Sequence, residues 1–231
     1  MPASQPQPQP AQTAHADADD AADLRIIASI KAGDSAGWSA LVARYQDRVF
    51  ATCVRMIHDR EVAGDLAQEA FVKIIQGVGQ FDGRSKFSTW VYRVTMNVCL
   101  SRLRSEKLRR HASLDDPAGG RAGGGSSRGE SLSDSGRERE PGGRASVEAD
   151  EERELVLAAL RLLEPDQRAV LILCDCRGLA YEQIGEVLGV AVGTVKSRVF
   201  RARTALRDAV EQVSRERRGG RPRNAAGGSI G

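Results

Sequence analysis

The chain has 231 residues, 41% of them hydrophobic and 28% charged, with a formal net charge of +3. That balance suits a protein with a buried core and excludes two extremes, a low-hydrophobicity disordered chain and a polybasic chain that binds nucleic acid by bulk charge alone. Its first twenty residues lack the basic start and apolar run of a signal peptide, and no segment approaches the roughly 20 apolar residues of a membrane span. A cytoplasmic location without membrane insertion is therefore expected. Cys53, Cys99, Cys174 and Cys176 lie inside helical patterns, without the paired spacing of a zinc site, so they are expected to be small buried hydrophobes, with no metal or cofactor.

Residues 1–22 are rich in Pro, Gln and Ala and are expected to form a disordered tail. From Ser35 onward Trp38, Leu41, Val42, Tyr45, Val49, Cys53 and Met56 recur at spacings of three and four, which predicts an amphipathic helix with Arg44, Gln46, Asp47 and Arg48 on its outer side. A second helix follows the cap candidate Asp59, with Leu66, Ala70, Ile74 and Val78 as its buried stripe.

The next stretch, FDGRSKFSTWVY at 81–92, is unusual. The whole chain holds only five Phe, two Trp and three Tyr, yet Phe81, Phe87, Trp90 and Tyr92 gather here among Arg84, Lys86 and hydroxyl side chains. A third helix is predicted from near Lys86, with Trp90, Val91, Val94 and Val98 on its inner face, running into the basic tract SRLRSEKLRR. Residues 113–146 hold hardly an apolar side chain and cannot offset their own ordering entropy, so a flexible linker is expected.

Helical pattern then resumes, with Leu155, Ala159 and Leu162 on one stripe and Pro165 opening a helix that carries Val170, Leu171, Leu173 and Cys174. Tyr181 to Leu188 reads as a short helix, GVAVG as a tight corner, and Thr194 to about Val210 as a longer helix with Val195, Val199, Ala202, Leu206 and Val210 facing inward. No strand-like alternation occurs. The expected fold is all-α, with two small helical domains at 23–111 and 148–212, a disordered linker at 112–147 and a basic disordered tail at 213–231.

The segment from Tyr181 to Arg207 has the organisation of a helix-turn-helix. Burial of Val195, Val199, Ala202 and Leu206 leaves Lys196, Ser197, Phe200 and Arg201 as one patch over the first turns of the second helix. That is the part such helices insert into the major groove, where Lys or Arg meets guanine O6 and N7 and Phe meets a thymine methyl. A solvated basic face is the plain alternative; the corner and the outward Phe200 favour base contact.

Taken together, DLAQEAFVKI at 65–74, FDGRSKFSTWVYRVTMN at 81–97, and LEPDQRAVLIL followed by YEQIGEVLGVAVGTVKSRVFRARTAL resemble the second and fourth conserved regions of the extracytoplasmic-function sigma factors of bacterial RNA polymerase. The likeness covers roughly residues 24–111 and 150–210. It implies a subunit without catalysis of its own, whose partners are core RNA polymerase, promoter DNA and an anti-sigma factor. It places Asp65, Gln68 and Glu69 on the surface for the polymerase clamp helices. It places Phe81 and Asn97 against a flipped base of the minus 10 element, with Lys86, Thr89 and Arg93 on the nearby backbone. This accounts for the aromatic cluster, because holding an unstacked base favours apolar pockets beside cations. The likeness also places Lys196, Ser197, Phe200 and Arg201 on the minus 35 element, and implies that the linker threads through the polymerase. Trp90 is expected in the core, and Phe87 equally so. Ala180, Gly185 and Ala191 depart from the common pattern of the fourth region, which suggests a marginal domain.

The rival reading is a stand-alone two-domain helix-turn-helix regulator that binds duplex DNA without polymerase. DLAQEAF and the aromatic loop argue against it, since such a regulator needs neither docking nor strand capture.

Overall fold

The computed structural model describes residues 10–114 and 144–219, with side chains placed within 19–110 and 151–218. Eight α-helices occur among the described residues: α1 (Pro10–Lys31), α2 (Ser35–Ile57), α3 (Arg60–Gly77), α4 (Phe87–Leu114), α5 (Arg144–Arg161), α6 (Pro165–Leu171), α7 (Tyr181–Leu188) and α8 (Val192–Gly219). No strand occurs among them.

Helices α1 to α4 form the first domain. Asp34 caps α2 by accepting the Ala36 N–H at 2.9 Å, and Asp59, the cap candidate of the sequence, caps α3 by accepting the Val62 N–H at 3.1 Å. Between them His58 takes the left-handed conformation at φ 62° and closes α2 with a bond to the Val54 carbonyl. Leu41, Tyr45, Val49, Cys53 and Met56 of α2 meet Ala63, Ala70 and Ile74 of α3 and Phe87, Val91, Met96 and Cys99 of α4 in a closed core.

In the second domain α6 continues into a π turn at Ile172–Cys176, and α7 and α8 make the helix-turn-helix. Its core holds Ala159, Leu160, Leu163, Val170, Ile172, Leu173, Ile184, Val195, Val199 and Ala202. Gly185 has a specific reason to lack a side chain: a Cβ there would lie 2.8 Å from the Val190 carbonyl oxygen at the corner. The corner itself turns at Gly189, with φ 66°. Ala180 cannot cap α7 with a side chain, but Gln183 reaches back, its Oε1 accepting the Ala180 N–H at 2.9 Å.

Several sequence expectations are corrected. Helix α1 begins at Pro10, well inside the span expected to be a disordered tail, and Asp19 and Asp23 fasten it to Arg44 of α2 at 2.9 and 2.6 Å. Helix α4 runs to Leu114, α5 starts at Arg144 and α8 runs to Gly219 with Val213 buried, so helix covers both ends of the expected linker and the first residues of the expected C-terminal tail. The remainder of the linker, 115–143, lies outside the described residues. Val42 and Leu162, assigned to inner stripes, are 37% and 52% exposed, and of the four cysteines expected to be buried only Cys53 and Cys99 are, Cys174 being half-buried and Cys176 exposed. Leu160 and Leu163 fill the place given to Leu162, because α5 ends at Arg161 and the chain turns there.

The two domains touch. Arg177 donates through Nη2 to the Arg48 carbonyl at 2.6 Å and to Thr52 Oγ1 at 2.8 Å, and its guanidinium lies 5.6 Å from the centre of the Tyr92 ring. Arg161 donates to the His58 carbonyl at 3.0 Å, Arg168 donates to the Met56 carbonyl, and Gln183 Nε2 donates to Thr89 Oγ1 at 3.2 Å.

Candidate nucleic-acid interface

On α8 the inward residues Val195, Val199 and Ala202 are buried, which fixes the rotation of the helix. Lys196, Ser197, Phe200 and Arg201 consequently share its outer face, and Phe200 is 74% exposed. Ser197 Oγ bonds its own helix at the Thr194 carbonyl, 2.9 Å away, and Arg201 Nε reaches back to the Ser197 carbonyl at 3.4 Å. Nothing else in the described residues covers the patch. Two neighbouring arginines point elsewhere: Arg198 pairs with Asp166 at 3.4 Å, and Arg203 pairs with Asp175 at 2.7 Å.

The aromatic cluster of 81–92 forms a stack rather than an open row of rings. Phe81 meets Phe87 edge-on at 5.2 Å between centroids, Phe87 stacks on Trp90 at 5.5 Å, and Tyr45 meets Phe87 edge-on at 5.6 Å. Phe81 is 7% and Phe87 2% exposed, whereas Trp90 is half-buried, its ring against the bare Cα of Gly77. Phe81 therefore forms the floor of this surface, and Trp90, assigned to the core by spacing, keeps an open edge. The Phe81 carbonyl is held by Lys31 Nζ at 2.9 Å.

Of the other residues assigned to the minus 10 face, Arg93 and Asn97 are exposed one turn apart on α4. Lys86 is half-buried and pairs with Asp20 of α1 at 3.2 Å. Thr89 is 2% exposed, enclosed by α7 and bonded to Gln183. Lys31, Asp20, Arg177 and Gln183 all touch this region, and none was legible in sequence, because each arrives from an element remote in the chain.

On α3, Asp65, Gln68 and Glu69 are exposed, and Glu69 pairs with Lys73 at 2.8 Å. Val72 and Ile75 extend the same stripe and are 52% and 43% exposed, apolar side chains that helical spacing alone could have flagged.

Electrostatics reinforce the scaffold. Tyr45 donates to Asp23 Oδ2 at 2.6 Å, and burial of Asp23 pushes its carboxyl above the usual range against the pull of Tyr45 and Arg44. His58 has neither ring nitrogen bonded; burial first, then Arg168 and Arg161, lowers its pKa to about 3, so it is neutral. Burial likewise lowers Arg168, to about 10.

Residues 41–109 match the family described as Sigma-70 region 2, and residues 153–206 match Sigma-70, region 4. The chain is 34% identical over 201 residues to the RNA polymerase sigma-H factor of Pseudomonas aeruginosa, with 84% of this chain and 96% of the relative covered. The ECF RNA polymerase sigma-E factor of Escherichia coli K12 is 31% identical, over 84% of this chain and 96% of its own. The chain belongs to the extracytoplasmic-function sigma factors. Two solved folds resemble this sigma factor at a TM-score of 0.54. One is the sigma factor RpoE bound to the anti-sigma factor NepR from Bartonella quintana, at 22% identity over 75% of this chain and 96% of that one. The other is CnrH bound to the cytosolic domain of CnrY, at 21% identity over 83% and 98%. Like these relatives, the chain is an RNA polymerase sigma factor, acting in transcription initiation. No described helix is long and apolar enough to cross a membrane.

Proposed function

We propose that this sigma factor divides promoter recognition between two faces, and that it has no catalytic activity of its own. In this reading Lys196, Ser197, Phe200 and Arg201 enter the major groove of the minus 35 element. The observation that carries it is the 74% exposure of Phe200 among cations, an apolar ring that gains by covering a thymine methyl. On the other domain Asn97 and Trp90 receive the unstacked base of the minus 10 strand, on the floor made by Phe81 and Phe87, while Arg93, Lys86 and Thr89 hold its backbone.

Asp65, Gln68 and Glu69 dock on the polymerase clamp, with Val72 and Ile75 supplying the apolar part of that contact. The protein acts in the cytoplasm, and an anti-sigma factor is its expected inhibitor, since the structural relative RpoE is bound to one.

Run-off transcription with purified core polymerase tests the reading, using fragments of the source genome. New start sites that require the protein, weaken with Asn97→Ala and Arg93→Ala, and disappear with Phe200→Ala are the expected result. Tight duplex binding without polymerase, together with no transcripts, would favour the stand-alone regulator instead.

A further inference from the structure

We infer that Gly77, the last residue of α3, is a positioning residue for strand capture: its missing side chain lets the Trp90 ring lie against the end of α3, stacked on Phe87, where an unstacked base can meet it. The consequence for DNA rests on the reading of Trp90 as a ring that receives that base, while the seating of the ring rests on geometry alone.

Nothing in the backbone asks for glycine at this position. Gly77 has φ −96° and ψ −16°, right-handed values open to any residue, and it closes a helix in which alanine is the better helix former. The requirement is steric. A Cβ there would lie 2.9 Å from Trp90 Cζ2 and 3.2 Å from Cη2, inside the roughly 3.5–4.0 Å at which carbon atoms attract. Gly64 of the same helix makes the contrast, since a Cβ there would meet nothing within 4 Å.

Trp90 is held on two further sides. It stacks on Phe87 at 5.5 Å between centroids, with 22° between the planes, and it meets Phe81 edge-on at 5.9 Å. Phe81 and Phe87 are themselves buried, so neither can follow a displaced indole. A methyl at position 77 therefore leaves one way out: the indole, only half-buried, swings towards solvent through its open edge and the stack on Phe87 opens. Because the moving atoms are the far end of a side chain, the fold survives and the loss falls on the receptacle. A base stacks on a ring only in the right plane, and losing that stack weakens strand binding about tenfold.

Trp38 and Trp90 are the two tryptophans of the chain, so full-length protein carrying Trp38→Phe reports on Trp90 by fluorescence. Adding Gly77→Ala moves the emission to the red as the indole enters water, and Gly64→Ala, the control in the same helix, leaves it in place. In holoenzyme assembled from core polymerase and protein with native Trp38, Gly77→Ala weakens binding of a single-stranded minus 10 oligonucleotide, taken from a promoter mapped by run-off, about tenfold, and leaves binding of a duplex minus 35 fragment unchanged. In the Trp90→Leu background, where no indole reaches position 77, the same substitution costs less than about twofold. An unmoved emission, an oligonucleotide affinity within about twofold of native, or an equal loss in the Trp90→Leu background would each overturn the positioning role. Trp90→Leu that binds the oligonucleotide as tightly as native protein would instead overturn the reading of Trp90 as a receiving ring and with it the consequence for DNA, and the emission shift would still decide whether Gly77 seats the indole.

Discussion

The two proposed recognition faces are built in opposite ways. On α8 the patch of Lys196, Ser197, Phe200 and Arg201 is exposed and held only by its own helix, so each side chain can be removed without touching a core. On α4 and the preceding loop, recognition is merged with structure: Phe81 and Phe87 are core residues, Thr89 is enclosed, and Lys86 is paired. Duplex DNA presents its edges to a bare helix, whereas an unstacked base needs a rigid apolar receptacle, and rigidity comes from burial.

The sharpest way to break this comparison is to truncate one ring from each face. Phe81→Ala removes a buried ring and is expected to destabilise the first domain by about 3–5 kcal/mol, read as a lower denaturant midpoint. Phe200→Ala should leave that midpoint unchanged. Equal midpoint losses would show that the α8 patch is structural after all.

Arg201→Ala comes next, costing about 1–3 kcal/mol of discrimination at one base pair of the minus 35 element. A binding series over single-base variants of that element checks it; loss spread evenly over all variants would reduce Arg201 to a phosphate contact.

The pH response is smaller and belongs to the domain boundary. His58 is held neutral in the folded protein with a pKa near 3, below the ordinary value of 6.5. Between those values the unfolded state binds more protons. Its contribution is therefore fully present above about pH 6.5 and lost as pH falls towards 3. Thermal unfolding at pH 7 and pH 5 should differ accordingly, and His58→Asn, which also tolerates the left-handed backbone, should flatten the difference.

The smallest effect is expected for Lys86→Gln. Loss of one phosphate contact to a single strand lowers the salt slope of binding by about 0.7 and weakens all sequences alike. Because Asp20 already pairs with Lys86, Asp20→Asn should act in the opposite direction and strengthen strand binding.

Much of this protein was legible one residue at a time. The spacing of Leu41, Tyr45, Val49, Cys53 and Met56 gives a buried helix face, and that of Val195, Val199 and Ala202 fixes which side of α8 faces outward, because a 3.6-residue period ties side-chain direction to position. Errors arose where that period stops applying. Leu162 lies just beyond the end of α5, and Val42 sits at the margin of its stripe. Composition misjudged the ends as well: the Ala- and Asp-rich stretch before Asp23 looks solvated, yet Asp19 and Asp23 find Arg44.

The sequence by itself determined the all-helical class, the helix-turn-helix, the clustered rings and the cationic patch, since each depends on neighbours within a few residues. Only the tertiary structure decided that Phe81 is a floor rather than an open clamp, that Gly185 makes room for a carbonyl, and that Arg168 and Arg177 bind the first domain. These depend on contacts between positions more than a hundred residues apart in the case of the arginines. No local pattern encodes them, because the hydrogen-bonding needs of the backbone carbonyls at Met56 and Arg48 are the same as at any other residue.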